Sequence, residues 1–378
     1  YEKSQTDIST GLAPGTKQRF LTQFRKLEED ADFVPSRVQS DFYGGDEPTW
    51  SDIRGDKDVI LSNVNKALEL LRNSSVERYA ALIFGQFATG KTTAMLRVAM
   101  TSIGLGLRPY WFRNEAGLDV EATANYLQAY PNVVLLFDGA ADHSERIGRL
   151  LALAKERNTR TRIFMSERTY RLRGFRIDIP DEFRREFALS DLPRVDIERM
   201  VGKRRSVSRL GEFIRQNNKE VVDYLAKKCR GELIECLSRL EFSEGFRARA
   251  RRIVQGGVKD PAVRPLVVAI ACVHRFGYVL PLRTAMDVGH LPFNKFRELF
   301  GAGIGADGPI VREPLGLRLR HRILSEYAWK EVFSEDEKFN ATHAVVASLA
   351  PLINPAIIGA KEYPHLIVRK VFDQERVS

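Results

Sequence analysis

Apolar residues are distributed in two ways along the 378-residue chain. In the first half they gather in short unbroken runs: Tyr79 to Phe84 (YAALIF), Arg108 to Phe112 (RPYWF), Val133 to Phe137 (VVLLF) and Arg162 to Met165 (RIFM). Runs of that length suit strands buried on both faces of a parallel sheet. The stretches between them, Thr92 to Met100, Leu118 to Ala129 and Ser144 to Arg157, have helical composition, and Asp58 to Leu71 predicts a helix leading into the first strand. Strand and helix therefore alternate, as in an α/β unit. From Ser190 onward the pattern is helical, with Asp191 to Gly202, Ser206 to Gln216, Glu220 to Lys228 and Leu233 to Leu240 as the predicted elements.

The ends of the chain are less regular. Tyr1 to Arg54 is mostly polar, with an amphipathic piece at Gln18 to Glu29 and a turn-rich passage, FYGGDEPTW, at Phe42 to Trp50. It reads as the tail of a preceding domain followed by a connector. Gly245 to Leu319 alternates helices with compact turns and closes on two short apolar pieces, Gly308 to Arg312 and Leu315 to Leu319, which predict the wing hairpin of a winged helix. Asn294 to Phe300 would then be the recognition helix. It carries Lys295 and Arg297 beside Glu298, few contacts for a reader of DNA, so internal packing is the first reading of this domain and DNA binding the second. Beyond it, Ala341 to Val368 gives helical pieces separated by Pro351, Pro355 and Pro364.

Gly85 to Thr93, GQFATGKTT, adds chemistry to this frame, because it fits G-x-x-x-x-G-K-[ST] between a predicted strand and a predicted helix. Gly85 and Gly90 let the backbone wrap a phosphate, and the following helix points its positive end at the same anion. Lys91 would reach the outer phosphates, the Thr92 hydroxyl would hold Mg2+, and Thr93 completes the phosphate-binding set. The domains expected are 1–54 connector, 55–189 P-loop NTPase, 190–244 helical domain, 245–330 winged helix and 331–378 the start of a further helical region.

Asp138 ends the Val133 to Phe137 run about 45 residues beyond the loop lysine, where a carboxylate orients magnesium. Gly139 follows it, where fast ATPases of related architecture commonly place a water-activating glutamate. Slow turnover is therefore expected unless Asp142 or Glu145 substitutes. His143 reads as a loop surface residue. The RIFM strand ends in Ser166, Glu167 and Arg168, polar residues expected to face the terminal phosphate; Arg168 is either a phosphate sensor or the partner of a nearby carboxylate. Trp50 and Ile53 would either cover an adenine or anchor the lead-in at a domain junction.

Charge and composition narrow the class. The formal net charge of +10 invites a nucleic-acid reading, but basic residues are interspersed with acidic ones over most of the chain, as on a solvated surface. No apolar run reaches membrane-spanning length, and no charged-then-apolar leader is present. Cys229, Cys236 and Cys272 form no C-x-x-C pair and are expected to be reduced core thiols of a cytoplasmic protein. A chain running from Tyr1 to Ser378 is read as a fragment of a longer protein.

The order of these pieces resembles the STAND class of signalling P-loop ATPases: phosphate loop, strand aspartate, strand ending in Ser-x-Arg, helical bundle, and winged helix followed by a histidine. FYGGDEPTWSDI, LLFDGAADH, IFMSERTYR and LRLRHRILSEYAW look like bacterial antiviral STAND proteins, particularly those with a sirtuin-like NADase effector, from Phe42 to the end. The resemblance implies that Gly85, Gly90, Lys91 and Thr92 hold ATP or ADP with Mg2+, that Asp138 is the acidic magnesium partner, and that Arg168 is the first sensor. It also implies that His321 touches the bound phosphate at rest, whereas the residue pattern alone makes His321 an ordinary helix histidine. One departure concerns the Gly-x-Pro motif of the family's helical domain: Gly231-Glu232-Leu233 lacks the proline.

By this resemblance the chain is an oligomerising switch, ADP-bound at rest and ATP-bound when assembled. An N-terminal effector and a C-terminal sensor for a trigger ligand, such as a phage protein, would lie outside it. The competing expectation is a DNA-dependent ATPase or loader that uses the winged helix and the basic surface.

Overall fold

The computed structural model describes residues 15–27, 48–73, 77–86, 88–113, 117–172, 178–189, 191–242, 263–276, 278–290, 310–313, 316–319 and 322–353, with isolated residues between and beyond them. The chain divides into two compact units, Tyr1–Glu241 and Phe242–Ser378.

The first unit is built on a six-stranded sheet. Its strands are β1 (Phe24–Lys26), β2 (Arg78–Gly85), β3 (Arg108–Phe112), β4 (Val133–Asp138), β5 (Thr161–Arg168) and β6 (Arg184–Ala188), in the spatial order β1-β3-β4-β5-β2-β6. All pairings are parallel except β1 on β3. Alternate residues of the central strands enter two cores. Leu82, Leu135, Phe137, Ile163 and Met165 pack with α1 (Thr16–Gln23), α5 (Val120–Ala129) and α6 (Ser144–Glu156) on one face. Ala81, Ile83, Val134, Leu136 and Phe164 pack with α2 (Trp50–Arg54), α3 (Ser62–Arg72) and α4 (Lys91–Gly104) on the other. Coverage on both faces is why the strands read as continuous apolar runs.

Two edge strands differ from the expectation. Residues 16–27, placed in the connector by the sequence pattern, form α1 and β1 and belong to the sheet domain: Phe20 stacks on Tyr126 at 3.8 Å, and Phe24 lies edge-on to Phe112 and Phe137. In FRK only Phe24 is fully buried, so no apolar run marks the strand. β6, with sequence RREFA, is partly exposed throughout and equally silent. Both are edge strands, which carry charge on their open sides.

The helical bundle of this unit comprises α7 (Arg194–Ser206), α8 (Asn218–Cys229) and α9 (Leu233–Phe242). Its core includes Ile197, Met200, Val201, Phe213, Val221, Leu225, Cys236 and Leu240. The helix expected from Ser206 to Gln216 is instead a turn and a short 3-10 segment, Gly211–Arg215, because Ser208 and Gly211 take positive φ of 57° and 50°. Asn217 and Glu220 form a reciprocal capping box that starts α8. All three cysteines are buried free thiols.

The second unit centres on α10 (Arg264–His274), an apolar helix buried along Leu266 to His274. Around it pack α11 (Leu282–Gly289), α12 (Arg322–Glu331), α13 (Glu335–Leu349) and an antiparallel sheet of β7 (Leu280–Pro281), β8 (Ile310–Glu313) and β9 (Gly316–Leu319), ordered β7-β9-β8. The two apolar pieces expected to pair do so as β8 and β9. Gly316 is required where β7 meets β9, since a Cβ there would lie 2.0 Å from the Leu280 carbonyl oxygen. Residues 295–300 of the expected recognition helix and His321 lie outside the described residues. Among the described residues, no helix is long and apolar enough to cross a membrane.

Candidate nucleotide site

Parallel strands bring their C-terminal ends to one rim. β5 lies between β2 and β4, so its tip joins the loop glycine to the strand aspartate: Arg168 pairs with Gly85, and Ser166 pairs with Asp138. The loop leaves β2 at Gly85 and curls through Ala88 and Gly90, both at positive φ (58° and 81°), into the first turn of α4. Its N-cap, Gly90, has no side chain to cap that turn, and N–H groups at the start of a helix suit an anion. A Cβ on Gly85 would fall 2.5 Å from the Leu189 carbonyl oxygen and 2.6 Å from Thr89 Oγ1. Only glycine fits where the end of β6 passes beneath the loop.

Lys91 folds over the loop, and its Nζ donates to the carbonyls of Gly85 at 3.2 Å and Gln86 at 2.5 Å. Thr92 Oγ1 donates to Asp138 Oδ2 at 3.0 Å, and the Ser166 hydroxyl donates to Oδ1 of the same carboxylate. Thr93 is half-buried in the same helical turn. A hydroxyl and a carboxylate in contact at the mouth of such a loop are hard oxygen donors, and they fit Mg2+, which takes few protein ligands and keeps its waters and the phosphates. Among the described residues no cluster of three or more His, Cys, Asp or Glu forms a denser metal cage.

The match to a family model agrees with this arrangement. Residues 40–176 match the family model described as Novel STAND NTPase 5. Over those residues the chain is similar to STAND-class P-loop NTPases. No curated protein matches it. Among solved structures, the chain is similar to the Thermotoga maritima RuvB Holliday junction branch migration motor at 15% identity, over 72% of this chain and 96% of that one, with a TM-score of 0.33. It is similar to the replication initiator DnaA bound to AMPPCP and single-stranded DNA at 14% identity, over 72% and 93%, with a TM-score of 0.33. With S. cerevisiae Hsp104 in its casein complex the figures are 11%, 68% and 52%, and a TM-score of 0.37. Superpositions this loose carry no argument about what the domain binds.

The acids around Asp138 are already engaged. Gly139 sits at φ 81° and ψ 56°, a left-handed conformation that would strain a glutamate. Asp142 pairs with Arg171. Glu145 pairs with Arg149 at 2.6 Å on the open surface. His143 packs against Phe112, ring centroids 4.7 Å apart.

The rim also has a second wall. Leu61, Asn63, Leu189, Leu192 and Leu233 line a narrow cleft that reaches Thr89 of the loop. It is closed by the turn between α8 and α9: Leu192 N–H donates to the Gly231 carbonyl at 2.8 Å, and a Cβ on Gly231, at φ 79°, would lie 2.8 Å from Asp191 Cβ. Two residues on, Leu233 meets Gly90: a Cβ on the glycine would lie 3.4 Å from Leu233 Cδ2. Buried Asp196 of α7 accepts from Ser62 N–H and, at 2.7 Å, from its hydroxyl, fixing the start of α3 to the bundle. Asn63 Nδ2 donates to Ala188 O at 2.7 Å. Leu233 stands where the family proline was missed in the sequence. Trp50 and Ile53 belong to the core beneath α4, at 3% and 1% exposure, in the anchoring role.

Proposed function

We propose that this chain is the nucleotide-binding oligomerisation switch of a STAND signalling ATPase in bacterial antiphage defence, ADP-bound at rest and ATP-bound when assembled. The contact of the helical bundle with the phosphate loop, Leu233 against Gly90 beside the Gly231 turn, supports it most directly. A nucleotide with its phosphates on the loop and its base in the adjoining cleft touches both sheet and bundle, so loss of one phosphate can be felt by the bundle. Lys91 would bind the outer phosphates, Thr92 and Asp138 would hold Mg2+, and the metal would supply charge neutralisation on the phosphates. With Gly139 behind Asp138 and the nearby acids engaged, turnover would be slow.

The β7-β9-β8 order with the β8–β9 hairpin supports a winged helix in the second unit. The trigger, in this reading, is a phage protein met through a sensor region beyond the chain, and a fused effector is driven by assembly. Inverting a 1:99 population takes about 5.5 kcal/mol of differential binding, more than one γ-phosphate contact set supplies, which is why a trigger is invoked.

The test is the nucleotide content of purified protein, released by denaturation and resolved on a calibrated column, for wild type and Lys91→Ala. Near-stoichiometric ADP in wild type and none in Lys91→Ala is expected. Unchanged content in Lys91→Ala sinks the phosphate-loop assignment, and an empty site that hydrolyses ATP only with added duplex DNA replaces the switch with a DNA-dependent loader.

A further inference from the structure

Glu167 lies between the two rim residues already placed, Ser166 and Arg168, and is only 3% exposed. Its Oε2 accepts from the Ala141 N–H at 2.7 Å, its Oε1 accepts from the Arg168 N–H at 2.8 Å, and Arg171 Nη1 stands 3.5 Å from Oε2. These donors come from the two turns that leave the rim. Ala141 belongs to the 3-10 turn after Asp138, whose left-handed Gly139 also donates to the Ser166 carbonyl at 3.0 Å. Arg168 and Arg171 bracket the 3-10 turn after β5. One buried carboxylate therefore fastens the segment that carries Asp138 to the segment that carries Arg168.

A packing role alone does not call for a carboxylate here. Burying one is costly, and an apolar side chain would fill the same volume without that cost. What an apolar side chain would not do is accept from the Ala141 and Arg168 N–H groups, as both carboxylate oxygens do. Since backbone donors and a guanidinium face its two oxygens, Glu167 is not placed as the water-activating base either.

We propose that Glu167 is a positioning residue for the magnesium-nucleotide complex: through the backbone of the Asp138–Ala141 turn and of Arg168 it sets the carboxylate that holds the metal and the arginine beside the loop, touching neither metal nor phosphate. The proposal rests on the nucleotide reading above. Glutamine at this position keeps the shape but turns an NH2 toward one of the donors, so one of the two turns is released. Partners that orient metal ligands from behind are worth roughly 10–100-fold in metal affinity.

The experiment uses the full 378-residue chain. Binding of a fluorescent ATP analogue is titrated in EDTA and in Mg2+ for wild type, Glu167→Gln and Lys91→Ala, with hydrogen exchange of the Ala141 amide followed in parallel. Glu167→Gln is expected to hold its EDTA affinity within about twofold, to lose about tenfold or more of the affinity gained on adding Mg2+, and to exchange the Ala141 amide faster. A Mg2+ gain equal to that of wild type overturns the proposal, as does a loss of the same size in EDTA and Mg2+, which marks a merely structural residue. Wild type that binds no more analogue than Lys91→Ala overturns the nucleotide reading and this proposal with it. Should Glu167→Gln melt below the assay temperature, Glu167→Asp, which withdraws the charge by one carbon, is expected to show the same split in milder form, and its absence there overturns the proposal.

Discussion

The two walls of the candidate site are made in different ways. The phosphate wall comes from one contiguous stretch, Gly85 to Thr93, with Asp138 and the β5 tip brought up by strand register. The wall proposed to face the base is assembled from separate segments: Leu61 and Asn63 before β2, Leu189 and Leu192 after β6, and Leu233 at the start of α9. A wall carried by one loop on a sheet has a fixed shape and an obligatory glycine. A wall carried by a bundle is held by a few contacts that another conformation can exchange, and that is where a nucleotide-dependent movement has room to occur.

The largest effect on ligand affinity should come from the phosphate wall and should ignore the base. Asp138→Ala removes the carboxylate that meets Thr92 and Ser166. Losing a charged hydrogen-bonding partner costs about 1.5–3 kcal/mol, or roughly 10–150-fold in affinity. Titration of ADP and of pyrophosphate, each with Mg2+, checks it. Both ligands are expected to weaken together; loss for ADP alone would mean that Asp138 serves the base wall and the division is misdrawn.

Next comes the hinge of the base wall. Gly231→Val places a branched side chain at φ 79° into Asp191 and Leu192, adding left-handed strain to overpacking. The combined cost is about 2–4 kcal/mol, read as a lower Tm of the first unit. Leu233→Ala is milder. Leu233 is half-buried, and trimming it costs about 1–2 kcal/mol, a drop of roughly 5–30-fold for ADP with pyrophosphate unchanged. Equal losses for ADP and pyrophosphate in Leu233→Ala would show that the two walls act as one.

The same division explains what the sequence disclosed. The four central strands, the loop and Asp138 were legible because burial on both faces and a fixed motif spacing write themselves locally. β1 and β6 were not, since an edge strand needs only one inward face and β1 commits a single phenylalanine to it. Leu233 was not legible because it lacks a motif: only the fold brings it to Gly90. Glu167 was visible as part of a polar strand tip, but its task depends on the Ala141 amide, 26 residues away in sequence.

The smallest effect concerns the brace behind both walls. Asp56 accepts from Arg97 of α4 at 3.0 Å and from Lys203 of α7 at 2.7 Å, and so links the helix of the phosphate wall to the bundle of the base wall. The Lys203 hydrogen bond, aided by the charges of Lys203 and Arg97, outweighs burial and holds the Asp56 carboxyl below the usual carboxylate range. A lowered folded-state pKa stabilises at every pH above the unfolded value near 4, and the contribution is lost as pH falls through the lower folded value. Because the side chain is 69% exposed, the pair is worth only about 0.5 kcal/mol. Asp56→Asn should therefore lower the Tm by one or two degrees at pH 7, roughly as expected for that energy, and the difference from wild type should vanish in acid below both pKa values. A difference that persists undiminished there would mean that Asp56 braces the two walls through shape and not through charge.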